Sequence, residues 1–246
     1  MEGDFDRYLS LHFGQVADPA DSRRRLETVR ANYVSLLPAD RDASILEIGP
    51  GHGEFLELAV GELGYRRVAA IDLSAEVVAS LAPRFADVAH FADVTRVLDT
   101  AAFLAGRAHS FDALFMMHVL EHVPKPQVVG LLTSARVALA PGGSLVIEVP
   151  NMANPIVGLA FRYGDFTHET GFTRTSLEQV LRMAGFEDIV VKALAIPGGS
   201  PARLLQKLGR FLVEGAVTLI GFLYSGRREI VAPNLVAVAR AVRGAP

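Results

Sequence analysis

The sequence predicts an α/β fold with a doubly wound, mostly parallel sheet, and three observations support this prediction. Apolar segments typical of buried strands alternate with helical patterns along most of the 246 residues. The segment 44–48 ends in a turn with a glycine at every second position, and a helical pattern follows at once. Aspartates follow the next two predicted strands, where the carboxyl ends of parallel strands form a common ligand crevice.

The strands are predicted where short apolar or β-branched runs are bounded by turn residues. They cover residues 44–48, 68–71, 88–91, 113–117, 144–149, 189–194 and 235–242. Pro141, Gly142 and Gly143 turn the chain into the fifth of these strands. The short turn, in place of a long polar linker, favours one continuous domain.

The helices are predicted where apolar side chains recur at helical spacing between start and stop residues. They cover residues 20–37, 54–63, 74–81, 126–139 and 175–184. Pro38, Gly64 and Gly185 end three of them, and Pro126 suits the first turn of another. We therefore predict one domain over residues 1–246, with a helical cap at 1–40 and an amphipathic helical insertion at 196–233.

Composition narrows the classes of partner and the location. The net charge is −3 and the isoelectric point about 6.2, which disfavours a nucleic-acid partner because such proteins are usually basic. The absence of cysteine excludes disulfides, thiolate metal sites and cysteine nucleophiles. The acidic first residues lack the apolar segment of a signal peptide, so the expected location is cytoplasmic.

The glycine turn indicates the class of cofactor. Gly49, Gly51 and Gly53 let the backbone turn sharply and approach a ligand closely, and Glu47 lies two residues before the first of them. The dinucleotide fingerprint is Gly-x-Gly-x-x-Gly, but Glu54 occupies the position of its third glycine. The spacing therefore favours S-adenosylmethionine over NAD.

Two aspartates are predicted at strand ends beside this turn. Asp72 follows the second strand, where a carboxylate can accept hydrogen bonds from ribose hydroxyls, and Asp93 follows the third, within reach of an adenine amino group. Leu73 and Val94 offer apolar flanks to the adenine ring. The alternative for Asp72 is a purely structural role as a cap of the helix behind Ser74.

Successive segments resemble the motifs of class I S-adenosylmethionine-dependent methyltransferases. They are residues 45–55, 70–74, 92–94, 111–123 and 141–149. The resemblance covers about residues 40–195, and residues 234–240 resemble the last strand of the family. Within the family the chain is most similar to small-molecule O-methyltransferases of the ubiquinone-biosynthesis type and to enzymes that methylate sugars in bacterial glycan pathways.

The resemblance implies a Rossmann-like sheet of seven strands, of which the last two form an antiparallel hairpin. It implies that Glu47 and the glycines hold the methionine part of the cofactor, that Asp72 holds the ribose, and that Asp93 with Val94 holds the adenine. It also places Met117, at the end of the fourth strand, in the cofactor site. His118 departs from the family, since many relatives carry an acid there. No metal site is therefore predicted.

Methyl transfer to a hydroxyl requires a base, and histidine is the usual base near neutral pH. His168 lies in the polar and aromatic loop 162–170, which covers the acceptor pocket in relatives, and is our first candidate. His118 is the second. The alternative for His168 is a lid residue that contacts the acceptor without taking a proton.

The expected acceptor is a small molecule or a sugar, including a sugar of a lipid-linked precursor. The chain lacks the Asn/Asp-Pro-Pro-aromatic motif of nucleobase amine methylation after the fourth strand, which favours oxygen as the methylated atom. Two other functions stay open at this point. One is a non-catalytic regulator that binds the cofactor, and the other, disfavoured by the glycine spacing, is an NAD-dependent oxidoreductase.

The insertion carries an apolar helical segment at residues 204–224. Its polar residues follow one narrow stripe, and arginines and a lysine flank it. Three interpretations stay open: packing on its own domain or on a second copy in a homodimer, peripheral contact with a membrane, and a lid over an apolar acceptor.

Overall fold

The computed structural model describes residues 19–86 and 93–242, which form a seven-stranded sheet between two layers of helices. The strands are β1 Ser44–Ile48, β2 Arg67–Asp72, β3 Asp93–Arg96, β4 Phe111–Met117, β5 Leu139–Pro150, β6 Glu187–Ala193 and β7 Asn234–Arg240. Their order across the sheet is β3-β2-β1-β4-β5-β7-β6. Only β7 runs antiparallel to its neighbours, so the predicted Rossmann-like sheet is confirmed.

The helices connect these strands. They are α1 Pro19–Tyr33, α2 Glu54–Leu56, α3 Ala75–Phe85, α4 Thr100–Ala105, α5 Lys125–Ala138, α6 Gly158–Gly164, α7 Arg174–Met183 and α8 Pro201–Ser225. A π-helical segment, Glu57–Glu62, continues α2, and 3₁₀ turns occupy Val34–Leu36 and Leu120–His122. The helix within the predicted insertion is thus confirmed as α8, between β6 and β7.

Alternation along the strands divides the core into two parts, one on each face of the sheet. Leu46 and Ile48 of β1 face the side covered by α4, α5 and α7. Ile45 faces the side covered by α1, α2 and α3, where Phe115 packs against Phe55 with ring centroids 4.4 Å apart. Because both faces are covered, the inner strands are buried along nearly their whole length.

Several boundaries differ from the predicted ones. The predicted strand at 88–91 lies outside the described residues. The strand β5 begins earlier than expected, and residues 140–143 with their Pro-Gly-Gly sequence form an irregularity within it, because Leu139 already pairs with Phe111 of β4. The helices α4 and α6 were not predicted, since each is too short for a clear apolar repeat.

The strand order places the candidate site. It reverses between β1 and β4, so the connections after these two strands lead to opposite faces of the sheet. A crevice forms at such a point, outside the carboxyl ends of the strands. The glycine turn after β1, Asp72 at the end of β2 and the loop after β4 all lie at this edge.

Candidate active site

The glycine turn after β1 needs glycine for two separate reasons. Gly49, Gly51 and Gly53 all have positive φ, at 71°, 53° and 87°. A Cβ on Gly49 would lie 2.4 Å from Val119 Cγ2, and one on Gly53 would lie 2.7 Å from Leu81 Cδ2. A Cβ on Gly51 would meet no described heavy atom within 4 Å, so this glycine faces open space. Two glycines therefore permit packing, and the third leaves room for a ligand to approach the backbone.

Glu47 is a buried acid on the strand that leads into this turn. Its side chain is 1% exposed, and Oε2 has no hydrogen-bond partner among the described residues. Burial, followed by the charges of Glu54 and Asp72, raises the pKa of Glu47 well above its usual value. The Glu47 carboxyl group thus lacks one hydrogen-bond donor. The ammonium group of a bound ligand would supply it. The site thus fits the methionine end of S-adenosylmethionine.

This arrangement predicts opposite effects of one substitution on stability and on binding. Because the folded-state pKa of Glu47 is raised, ionisation of this group costs stability as the pH rises above the usual glutamate pKa. At pH 8, Glu47→Gln should stabilise the cofactor-free protein by about 1 kcal/mol or more, because glutamine has no carboxyl group whose ionisation opposes folding. The gain should shrink towards pH 5, and cofactor affinity should fall. Denaturant unfolding and calorimetry measure the two effects.

A matched control is Glu57→Gln, since the Glu57 side chain is half exposed and 3.8 Å from Arg84. Removing its charge should leave cofactor affinity unchanged and shift stability by less than about 0.5 kcal/mol. If Glu47→Gln bound the cofactor as tightly as the original protein, Glu47 would have no part in the site.

Asp72 ends β2 and is oriented by the turn that follows it. Its Oδ1 accepts a hydrogen bond of 2.7 Å from the Ser74 amide, and burial raises its pKa to about 6. Ser74 itself caps α3, because its Oγ accepts the Val77 amide at 3.3 Å. Ser74, and not Asp72, therefore caps this helix. The Asp72 carboxylate remains available to a ligand in the crevice. The next residue, Leu73, is half-buried, and its carbonyl accepts a hydrogen bond from Arg96.

The predicted position of Asp93 and Val94 after the third strand is wrong. Both belong to β3, where Asp93 pairs with Ala69 and Arg96 pairs with Asp72. Asp93 therefore begins the strand, three residues before the edge at which Asp72 lies. Val94 is buried in the core under α3. Val94 and Thr95 are both β-branched, which favours a strand at this position. The apolar run at residues 88–91 had predicted the strand earlier in the chain. Their predicted contact with adenine stays a prediction.

His118 follows β4 and lies between two carboxylates. Met117, the last residue of the strand, is half-buried against the core, and His118 adopts a positive φ of 55°. Its Nδ1 is 3.0 Å from Glu121 Oε1, and its Nε2 is 3.0 Å from Glu148 Oε1. Burial alone would lower the pKa of His118, but the charges and hydrogen bonds of the two acids outweigh it and raise the pKa well above its usual value.

The second of these acids, Glu148, is itself surrounded by donors. The Tyr33 hydroxyl donates to its Oε2, and Asn234 Nδ2 donates to its Oε1 at 2.6 Å. Burial would raise the pKa of Glu148, but His118, Tyr33 and Asn234 outweigh it and lower the pKa. This network stabilises the imidazolium form of His118, with both ring nitrogens engaged. It disfavours His118 as a proton acceptor, which counts against the second catalytic candidate.

Sequence reasoning missed Tyr33, Glu121, Glu148 and Asn234. Glu148 had a usable signal, because it is the one acid within the apolar segment 145–149. A buried acid of this kind requires a charged or hydrogen-bonding partner. Nothing local indicates that Tyr33 and Asn234 are two of its partners, because they are distant in the chain.

The loop 162–170, called the lid below, follows β5 and carries His168 to the same edge of the sheet. His168 Nδ1 is 2.6 Å from the Phe161 carbonyl oxygen, which can only accept, so Nδ1 carries the proton and donates. In the neutral ring, Nε2 then holds the free electron pair. The ring is 4.8 Å from that of His122, centroid to centroid, and its side chain is 11% exposed. This is the tautomer that a base acting through Nε2 requires.

His122 is held in the corresponding way. The Thr167 hydroxyl donates to Asp165 Oδ1 at 2.6 Å, so its oxygen accepts from His122 Nδ1 at 2.9 Å. Burial lowers the pKa of His122, and although the charge of Glu121 opposes this, the pKa stays below its usual value. His122 is therefore neutral near pH 7 and orients the lid through Thr167.

The lid is also fixed to the loop after β4 through backbone contacts. The amides of Glu169 and Thr170 both donate to the Glu121 carbonyl, at 2.8 and 2.9 Å, and Thr170 Oγ1 donates to the Val123 carbonyl at 2.8 Å. Since Val119 of the same loop contacts Gly49, the loop connects the glycine turn to His168. The predicted cofactor turn and the first catalytic candidate thus lie at the same edge of the sheet, connected through this loop.

Three side chains at this edge are close enough together to hold a metal ion. Glu121, His122 and His168 offer ligand atoms that all lie within 4.8 Å of one another, and Glu121 Oε2 is buried without a hydrogen-bond partner among the described residues. The sequence predicts no metal, because an acid found in relatives is replaced by His118. His168 also suits a second use, in which its Nε2 receives a proton and Asp165 Oδ2, 3.7 Å away, balances the resulting charge.

Comparison with known proteins places the chain among methyltransferases. Residues 21–191 match the family described as a methyltransferase domain. A ubiquinone biosynthesis O-methyltransferase of Xanthomonas axonopodis pv. citri is 32% identical over 163 residues, which are 65% of this chain and 65% of the relative. The enzyme of the same name from Xanthomonas campestris pv. campestris strain B100 is 35% identical over 161 residues, 64% of each chain. The match thus covers slightly less than two thirds of the length of these relatives.

Solved structures agree in fold. A SAM dependent methyltransferase from Archaeoglobus fulgidus superposes with a TM-score of 0.66 at 19% identity, over 95% of this chain and 97% of that one. Phosphoethanolamine N-methyltransferase 2 of Haemonchus contortus, solved with phosphomonomethylethanolamine and S-adenosylhomocysteine, gives 0.67 at 17% identity, over 98% and 61%. At these identities the likeness establishes the fold alone.

Proposed function

The chain belongs to the methyltransferase-domain family, and we propose that it is an S-adenosylmethionine-dependent O-methyltransferase. S-adenosylmethionine is the cofactor of this family, and the open glycine turn, the unpartnered Glu47 and Asp72 fit it. The proposal depends chiefly on one observation: His168, in the tautomer of a base, lies in the lid that is hydrogen-bonded to the loop beside this turn. The names of the Xanthomonas relatives also support oxygen as the methylated atom.

The chain's own residues have three tasks in this reaction. When bound, S-adenosylmethionine supplies a methyl group that is already activated on a sulfonium, so the protein contributes mainly orientation and a base. Glu47 would hold the ammonium group of the methionine part, and Asp72 would hold the hydroxyl groups of the ribose. His168 Nε2 takes the proton of the acceptor hydroxyl, which leaves the oxygen as a nucleophile. Asp165, whose Oδ2 lies 3.7 Å from His168 Nε2, balances the charge that His168 then carries.

We propose a small molecule or a sugar as the acceptor, and a cytoplasmic location. The net charge of −3 supports an acceptor other than nucleic acid, because phosphate recognition requires positive charge. The buried lid contacts around His168 favour a compact acceptor that the lid can cover.

The test is a screen with methyl-labelled S-adenosylmethionine and acceptors in matched pairs that differ only in carrying a hydroxyl or an amino group. Mass spectrometry should find the label as a methyl ether on the hydroxyl member, because His168 removes a proton from oxygen. Turnover of the amine members alone would contradict O-methylation. Cofactor binding without turnover of any acceptor would favour the non-catalytic regulator.

A further inference from the structure

The helix α8 has the reverse of the orientation that an amphipathic surface helix normally adopts. Its half-buried residues, all on one stripe, are Arg203, Lys207, Arg210, Glu214, Val217 and Thr218. None of its 25 residues is buried in the described part of the chain. The polar stripe thus faces the domain, and the apolar face points outward.

Two polar contacts hold the helix this way round. Arg210 Nη2 donates to the Leu194 carbonyl at 3.0 Å. Lys207 Nζ donates to the Gly198 carbonyl at 2.6 Å. Rotation of the helix about its axis would break these bonds. The inverted orientation is therefore built into the chain, and the described residues leave no support for packing of the apolar face on its own domain.

The outward face is apolar along the whole helix. Its outermost row consists of Leu205, Leu212, Leu219 and Leu223, which are between 57% and 75% exposed. The helix is about 37 Å long at 1.5 Å per residue. By length and composition alone, it is also long and apolar enough to cross a membrane. A continuous apolar surface of this size in a soluble protein marks an interaction site.

Charge favours a lipid surface over a second copy as the partner. Arg203 lies at the beginning of α8 and is half-buried. Arg227 and Arg228 follow the end of the helix and are exposed. If two copies of α8 packed against each other, parallel or antiparallel, basic ends would meet basic ends. Anionic lipid headgroups, in contrast, would attract both ends.

We propose that α8 binds an anionic membrane surface, lying in its plane with the outward leucine row among the upper acyl chains. A helix that crosses the membrane is disfavoured, because the polar stripe is engaged with the domain. Both connections of α8 start from the carboxyl edge of the sheet, since β7 begins at Asn234, which contacts Glu148. The membrane would thus lie on the side of the molecule that carries the crevice. The proposal does not depend on methyl transfer.

Vesicle co-sedimentation of the full chain tests this surface. Vesicles of phosphatidylcholine with phosphatidylglycerol should sediment the protein, and vesicles of phosphatidylcholine alone should do so less well. Raising the salt from 0.01 to 1 M should weaken binding, because the screening length falls from about 30 to about 3 Å. The double change Leu212→Gln with Leu223→Gln should reduce the partition coefficient about tenfold or more.

The matched control is Leu98→Gln, which alters an equally exposed leucine in the connection between β3 and α4 and should leave binding unchanged. Cofactor binding by each variant shows that it is folded. Absence of binding to anionic vesicles at low salt would overturn the proposal, as would binding that the double change leaves unaltered. A dimer in analytical ultracentrifugation that the double change separates, without vesicle binding, would assign the face to a second copy instead.

Discussion

Replacing His168 with alanine should lower kcat by about 10²–10⁴-fold and leave cofactor affinity unchanged, because the change removes the base but no group that holds the cofactor. The reason is the hydrogen bond from Nδ1 to the Phe161 carbonyl, which leaves Nε2 as the proton acceptor. Steady-state kinetics on a hydroxyl acceptor found in the screen, with calorimetry for the cofactor, measure the two quantities.

The variant His168→Asn distinguishes two roles of His168, that of a catalytic base and that of a residue that only positions the lid. An asparagine amide can still donate to the Phe161 carbonyl, but it offers no basic nitrogen in place of Nε2. If His168 is the base, the asparagine variant should be as slow as the alanine variant. Recovery of kcat with asparagine would mean that His168 only positions the lid, and a larger loss for His118→Ala would reverse the ranking of the two histidines.

The same assay decides the role of the three groups Glu121, His122 and His168. With His168 as a free base, turnover should survive treatment with a chelator and dialysis. Loss of turnover that one divalent cation restores would instead identify the three groups as metal ligands.

Asp72→Ala should weaken binding of S-adenosylmethionine by about 1.5–3 kcal/mol, the scale of hydrogen bonds to a charged group. Asp72 ends β2 at the crevice, and α3 keeps its own cap, Ser74, when the carboxylate is removed. The loss should therefore appear in calorimetry with little change in the melting temperature. Unchanged affinity, or tight binding of NAD by the original protein, would contradict the cofactor assignment.

The raised pKa of Asp72 adds a pH dependence to this prediction. Ribose hydroxyls donate to the carboxylate, so the cofactor prefers the deprotonated form, and affinity should be constant above a pKa of about 6 and fall below it. At pH 5 the loss should approach tenfold. Asp72→Asn cannot titrate, so it should lose the part of the pH dependence that comes from Asp72 and leave the part that comes from Glu47.

Local sequence was sufficient for the features that depend on neighbouring residues. The strand at residues 44–48 has its predicted bounds, and α3 begins at its local cap, Ser74, because apolar runs and caps act within a few residues. The need for glycine after β1 was likewise visible, since a tight turn with positive φ is a property of the backbone itself. The position of Asp93 was not visible in the local sequence, because the bounds of β3 are set by its pairing with β2.

Long-range packing decided the rest of the site. Tyr33 and Glu148 are 115 residues apart, and only the sheet and α1 bring them together around His118. This contact holds Glu148 beside His118, so both ring nitrogens of this candidate base lie within 3.0 Å of a carboxylate. The sequence determined that residues 204–224 form an amphipathic helix, because periodicity along one segment contains that information. Which face points outward was decided by tertiary contacts, since the carbonyls of Leu194 and Gly198 bind the polar stripe and leave the leucine row exposed.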